Sequence, residues 1–99
     1  MDHLFDLARQ AAQLEHSWRS KRLARVGDAN LKLMRMDAQA YPEETHAYAE
    51  GLLVLDGELQ LDVAGDVVVV AAGQLYVVPA GVPHAVRPGS TGTLLIIDV

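Results

Sequence analysis

Apolar residues recur at two different periods along this 99-residue chain. Near its start Leu4, Leu7, Ala11, Leu14 and Trp18 alternate steps of three and four, the spacing that lines one face of a helix. The pattern predicts one short helix over about residues 3–15, extendable to Trp18, with Asp2 as its N-cap. Its stripe would lie on the outside of the main domain or across a dimer seam. From residue 20 the period shortens. Residues 22–26 and 31–36 form two runs separated by Gly27, Asp28, Ala29 and Asn30, which is turn chemistry within a hairpin. Beyond them Gly57, Gly65, Gly73, Gly81 and Gly89 recur every eight residues, with runs at 58–63, 67–71 and 75–78 between them. Short strands with a turn at such regular intervals predict an all-β, antiparallel sandwich or small barrel, not parallel β-α-β units. Leu53, Val54, Leu61, Val68, Val70, Leu75, Val77, Leu95 and Ile97 are the expected core.

Residues 67–86 contain no Asp, Glu, Lys or Arg, but Gly73, Pro79, Gly81 and Pro83 cut the run, so it reads as buried strands and not as a membrane span. About half the residues are apolar and a fifth charged, the balance of a folding globular chain. No linker, low-complexity stretch or repeat divides it, which predicts one domain over 1–99. A chain this short buries only about 60–65% of its surface alone, and its apolar runs leave edges to cover, so a homodimer is expected.

The net charge of −5 is unevenly placed. Residues 1–35 carry seven Lys or Arg against four acids, whereas 36–99 carry nine acids against Arg87 alone. The acidic part excludes nucleic-acid binding there, because neutralising phosphates takes clustered cations. Arg19, Lys21, Arg22 and Arg25 read as a solvated face paired with the acidic part. The start has no basic segment ahead of an apolar run, so no signal peptide is read and a cytoplasmic location is expected. With no cysteine there is neither a disulfide nor a thiolate site, and any metal must be held by nitrogen and oxygen.

Of the four histidines, His3 and His16 fall on or beside the helix and read as exposed, while His46 and His84 lie in the β part. In an extended chain Glu44, His46, Tyr48 and Glu50 all face one side. Two carboxylates and an imidazole turned into a barrel are costly unless something cationic compensates them, and a divalent ion is the simplest compensation. Taken alone, the segment reads rather as a solvated loop after Pro42 with its charges outside.

The downstream half resembles the cupin superfamily. That family's second motif runs Gly, five residues, Pro-x-Gly, two residues, His, three residues, Asn. Gly73, Pro79, Gly81 and His84 match it, with Pro88 in place of the terminal Asn. The first motif ends His-x-His, three or four residues, Glu, six residues, Gly. Glu50 and Gly57 match its last part, His46 takes the place of the second histidine, and the first falls on Glu44. The resemblance spans roughly residues 20–99. It implies a jelly-roll β-barrel preceded by the helix, with one divalent metal ion bound by Glu44, His46, Glu50 and His84. Imidazole and carboxylate suit Zn, Fe, Mn or Ni. The Gly and Pro residues around His84 would set a tight turn that aims its ring at the 44–50 segment.

Cupin barrels support dioxygenases, decarboxylases, isomerases and epimerases as well as sensors and storage proteins, so function does not follow from fold. The resemblance leaves three readings: a metal-dependent dioxygenase or isomerase acting on a small polar metabolite, a metal-containing binding or regulatory module, and an assembly piece without metal. Tyr48 and Tyr76 are the candidate hydrogen-bond donors to a small-molecule ligand. No Lys or further His stands near the motifs as a dedicated base.

Overall fold

The computed structural model describes residues 3–99. The helix is shorter than its apolar stripe suggests. α1 covers Leu7–Ala12, and its N-cap is Asp6, whose carboxylate accepts from the Arg9 amide at 3.1 Å. Asp2, the expected cap, lies outside the described residues. Leu4 is exposed, whereas Leu7, Ala11, Leu14 and Trp18 of the stripe turn towards the sheet. Arg35 ties the end of this segment down, donating from Nη1 to the Leu14 carbonyl at 2.7 Å. Arg19, Lys21, Arg22 and Arg25 are exposed as expected, but none forms an ion pair among the described residues.

Eight strands follow: β1 (Lys21–Val26), β2 (Ala29–Asp37), β3 (Tyr41–Glu44), β4 (Glu50–Val63), β5 (Asp66–Ala71), β6 (Leu75–Val78), β7 (His84–Val86) and β8 (Thr91–Asp98). Every pairing is antiparallel, in the order β1-β2-β8-β4-β7-β3, with β5 and β6 also on β4. The sheet curls into a jelly-roll barrel. Gly27 and Asp28 make the turn between β1 and β2, where a type of turn residue had marked it.

β4 organises the barrel. Its first half is flanked by β6 and β8, its second by β5 and β7. Val54 pairs with Leu94 and Asp56 with Thr93, so Leu55 is an extra residue on β4, a β-bulge. The inward positions are therefore Glu50, Leu52 and Val54 before the bulge, and Leu59, Leu61 and Val63 after it. Leu59 and Leu61 are fully buried, each stabilising the fold by about 2 kcal/mol.

This parity change corrects part of the expected core. Val54, Leu61 and Val70 are buried, and Val68 is half-buried against them. Leu53, Leu95 and Ile97 are only half-buried, and Leu75 and Val77 are exposed. All five share the outer face, because Leu53 pairs with both Leu75 and Leu95, and Gly51 with both Val77 and Ile97. The inward residues there are Leu52, Val78, Leu94 and Ile96.

Four of the eight-residue glycines fall at or after strand ends, but Gly57 lies inside β4, opposite Gly92 of β8. Both have positive φ, +78° and +99°. A Cβ on Gly57 would sit 2.0 Å from the Thr91 carbonyl oxygen, and one on Gly92 2.1 Å from that of Asp56. Gly65 also has positive φ but nothing within 4 Å of a Cβ. Gly57→Ala should therefore destabilise the fold by about 3 kcal/mol or more, strain and clash together, against about 1–2 kcal/mol of strain alone for Gly65→Ala. Urea unfolding of the two variants checks this, and equal losses would contradict it.

Candidate metal centre

Three segments deliver the candidate ligands. Glu44 ends β3, Glu50 opens β4, and His84 opens β7, directly opposite Glu44 in the β3–β7 pair. Between Glu44 and Glu50 the chain leaves the strand, and residues 45–49 are irregular. The convergence expected from strict alternation is thus achieved by a loop. Glu44, His46, Tyr48 and Glu50 nevertheless all line one cavity of about 210 Å³. The Pro79–Gly81 turn is docked on that loop, since the Gly81 amide donates to the His46 carbonyl at 2.8 Å. The two motifs are joined through backbone.

Glu44, His46 and His84 each bring one ligand atom within 4.8 Å of the others, close enough to hold a metal ion. His46 Nε2 is 3.2 Å from Glu44 Oε2 and 3.8 Å from Glu50 Oε2. The other carboxylate oxygen of Glu50 lies 3.3 Å from His84 Nε2. Glu50 is thus buried against both imidazoles, although it is not one of the tight group of three. The rings of His46 and His84 are 5.4 Å apart, and Tyr48 stacks on His46 at 5.0 Å.

His84 is buried, and its tautomer is set by the backbone. Nδ1 stands 3.1 Å from the Val82 carbonyl, which only accepts, so Nδ1 carries the proton. In the neutral ring Nε2 then offers a lone pair into the cavity, and it has no hydrogen-bond partner among the described residues. A lone pair facing a carboxylate oxygen across 3.3 Å is repulsive unless a cation lies between them. Such a nitrogen, with its other ring N–H on a backbone carbonyl, is the usual form of a metal-binding histidine. The donor set therefore fits a divalent ion.

Other cavity residues were not foreseen. Trp18 and Tyr41 line it with their rings 5.8 Å apart, and Trp18 is held in a left-handed conformation, φ 63°, by bonds from its amide to Arg35 and from its indole to Asp37. Lys32 and Asp98 line it too, as an ion pair. A signal for them existed. Lys32 has the parity of the inward Met34 and Met36, and Asp98 that of Leu94 and Ile96, so both are charges on an otherwise apolar inner face. The absence of a lysine near the motifs in sequence is thus corrected in space. Tyr76, by contrast, is not among the residues lining this cavity; on β6 it pairs with Leu52 and packs against the core. The Tyr48 phenol is pushed above its ordinary pKa of 10.0, first by burial and then by the carboxylates of Asp98 and Glu50, with Lys32 opposing them.

Comparison with known proteins agrees with this geometry. The sequence profile of the Cupin domain family matches residues 32–99. No protein with a curated description matches the chain. Among solved structures it is similar to a cupin-2 domain containing protein from Shewanella frigidimarina, with a TM-score of 0.88, 23% identity, and 96% of this chain and 93% of that one covered. A protein from Neisseria meningitidis gives 0.86 and 23%, covering 98% and 99%. A cupin 2 conserved barrel domain protein from Leptotrichia buccalis gives 0.80 and 28%, covering 96% of this chain and 47% of that one. Motifs, barrel and family profile coincide over the same residues, and the chain belongs to the cupin domain family.

Proposed function

We propose that this cupin binds one divalent metal ion through His46, His84, Glu44 and Glu50 and uses it to hold, and in the fullest form of the reading to oxidise or isomerise, a small polar metabolite. The observation that carries the reading is the buried Nε2 of His84, a lone pair with no hydrogen-bond partner, aimed at a carboxylate. Nitrogen and oxygen donors without thiolate suit Zn, Fe, Mn or Ni. When bound, the ion would polarise a ligand oxygen and acidify a bound water. The protein's own part is to orient the His84 imidazole through its bond to the Val82 carbonyl and that of His46 by stacking on Tyr48. Among the described residues no helix is long and apolar enough to cross a membrane.

The site's charge shapes what it would hold. Two neutral imidazoles and two carboxylates cancel a divalent ion, where three imidazoles and one carboxylate would leave about +1. The ion's pull on anions is blunted, which suits neutral or chelating enol-type ligands. If Glu44 stays off the ion, His46, Glu50 and His84 remain as the two-histidine, one-carboxylate set of non-haem iron oxygenases, with Glu44 available as a base.

A homodimer belongs to the same reading. Val67, Val69, Leu75 and Val77 expose apolar side chains on β5 and β6, next to the half-buried Leu53, Leu95 and Ile97. A second copy of this face would cover them.

Elemental analysis and calorimetric titration with zinc test the ligands, expecting one ion per chain. His46→Ala and His84→Ala should lose it, Glu44→Gln should weaken binding about 10–100-fold, and Glu44→His should keep it. A fully loaded, folded His84→Ala protein would overturn the reading, and unchanged affinity in Glu44→Gln would remove Glu44 from the set. In the metal-free protein above pH 8, nitrogen NMR should find the His84 proton on Nδ1; a proton on Nε2 would contradict the lone-pair argument. Light scattering at micromolar concentration should give twice the mass of the 10.7 kDa chain, and a monomer would refute the dimer.

A further inference from the structure

The cavity that holds the candidate metal ligands is also lined by an ion pair. Lys32 and Asp98 come from adjacent, paired strands, β2 and β8, and both lie on the inward parity. Asp98 is 5% exposed and accepts from Lys32 on one oxygen and from Asn30 Nδ2, at 3.2 Å, on the other. Asp98 is thus fixed on both oxygens. Lys32 gives Asp98 one of its three N–H groups and has no other bond among the described residues. Tyr48 lines the same cavity as Lys32, Asp98, Glu44 and Glu50.

With Asp98 buried and Lys32 half-buried, the pair is a poor way to stabilise a barrel. Desolvating a buried charge costs several kcal/mol, and an apolar pair of similar volume usually does as well or better. The neighbouring inward positions are Met34, Leu94 and Ile96, so packing alone gives no reason for a Lys and an Asp there. Their shared property is that together they present a donor and an acceptor side by side at zero net charge.

Resting on the metal reading above, we propose that Lys32 and Asp98 form a second subsite of the cavity and recognise a ligand hydroxyl, so that the ligand carries an uncharged, hydroxylated group at one end and a chelating group for the ion at the other. A hydroxyl both donates and accepts, and so satisfies the carboxylate and the ammonium together. Charge decides between this and an anionic end. The cavity is lined by the carboxylates of Glu44, Glu50 and Asp98 against the single ammonium of Lys32. A divalent ion brings that balance to zero; a chelating enolate, its proton lost to solvent, adds one negative charge, and an anionic far end would add a second with nothing to compensate it. With a cavity of about 210 Å³, the ligand is of the size of a single small ring or a short polyol.

Three hydroxypyranones share one chelating head and differ at one carbon: kojic acid carries a hydroxymethyl group, allomaltol a methyl, and comenic acid a carboxylate. Calorimetric titration of the zinc-loaded protein should show kojic acid binding about tenfold more tightly than allomaltol, with comenic acid no tighter than allomaltol. Lys32→Met leaves Asp98 unpaired and risks misfolding, so the decisive variant is Lys32→Met/Asp98→Leu, which removes both charges together. It should bring the ratio of kojic acid to allomaltol affinities to about one and leave zinc affinity within threefold. Equal binding of kojic acid and allomaltol by the native protein would overturn the proposal, as would a ratio that survives in the double variant. A preference for comenic acid would make this an anion site and overturn the hydroxyl assignment. Zinc alone reads the metal centre separately. In the zinc-loaded protein the Asn30 side-chain amide resonance should shift with kojic acid and not with allomaltol, and the same response to both would count against the subsite.

Discussion

Strand β4 has to pair with four neighbours along fourteen residues while keeping its apolar side chains inside a closing sheet. A flat strand of that length would not follow the curve. The extra residue at Leu55 bends β4 and shifts its inward parity from even to odd, so that Glu50 to Val54 and Leu59 to Val63 line the same interior. The bend is held where Gly57 and Gly92 pass backbone against backbone, an approach that a side chain on either would block. Glu50 is placed through this strand, and His84 through its pairing with Val63 on the far side of the bulge. The candidate metal centre is therefore a product of how β4 bends.

What the bend assembles is electrostatically incomplete without a cation. Buried carboxylate and imidazole lone pairs face one another, and the backbone contact at Val82 prevents His84 from simply turning its N–H inward. Lys32 and Asp98, lining the same cavity, are already matched to each other. The two groups thus differ in kind: one calls for an external positive charge, the other is neutral as it stands. That asymmetry, and not the shape of the barrel, is what gives this cupin a chemical direction.

Much of this was legible in the chain. Antiparallel strands and the hairpin at Gly27 and Asp28 follow from short-range spacing, which the sequence displays directly, whereas the grouping of Glu44, His46 and His84 was legible only through the motifs that resemble those of cupins. What was not legible depends on long-range register. Leu53, Leu75, Val77, Leu95 and Ile97 were assigned to the core by alternation, and one unmarked bulge moves all five to the outer face because they are linked by pairing. Tyr76 and the Lys32–Asp98 pair follow the same logic. Residues 66 positions apart meet only once β2 and β8 are in register, and proximity in sequence to the motifs was the wrong measure of proximity to the site.

The central claim is that two imidazoles and neighbouring carboxylates of this chain close on one divalent ion. X-ray absorption at the zinc edge of the loaded protein measures that shell directly. The account predicts nitrogen and oxygen neighbours at about 2.0–2.2 Å with the outer scattering of two imidazole rings. A shell of oxygen alone, without imidazole scattering, would contradict it.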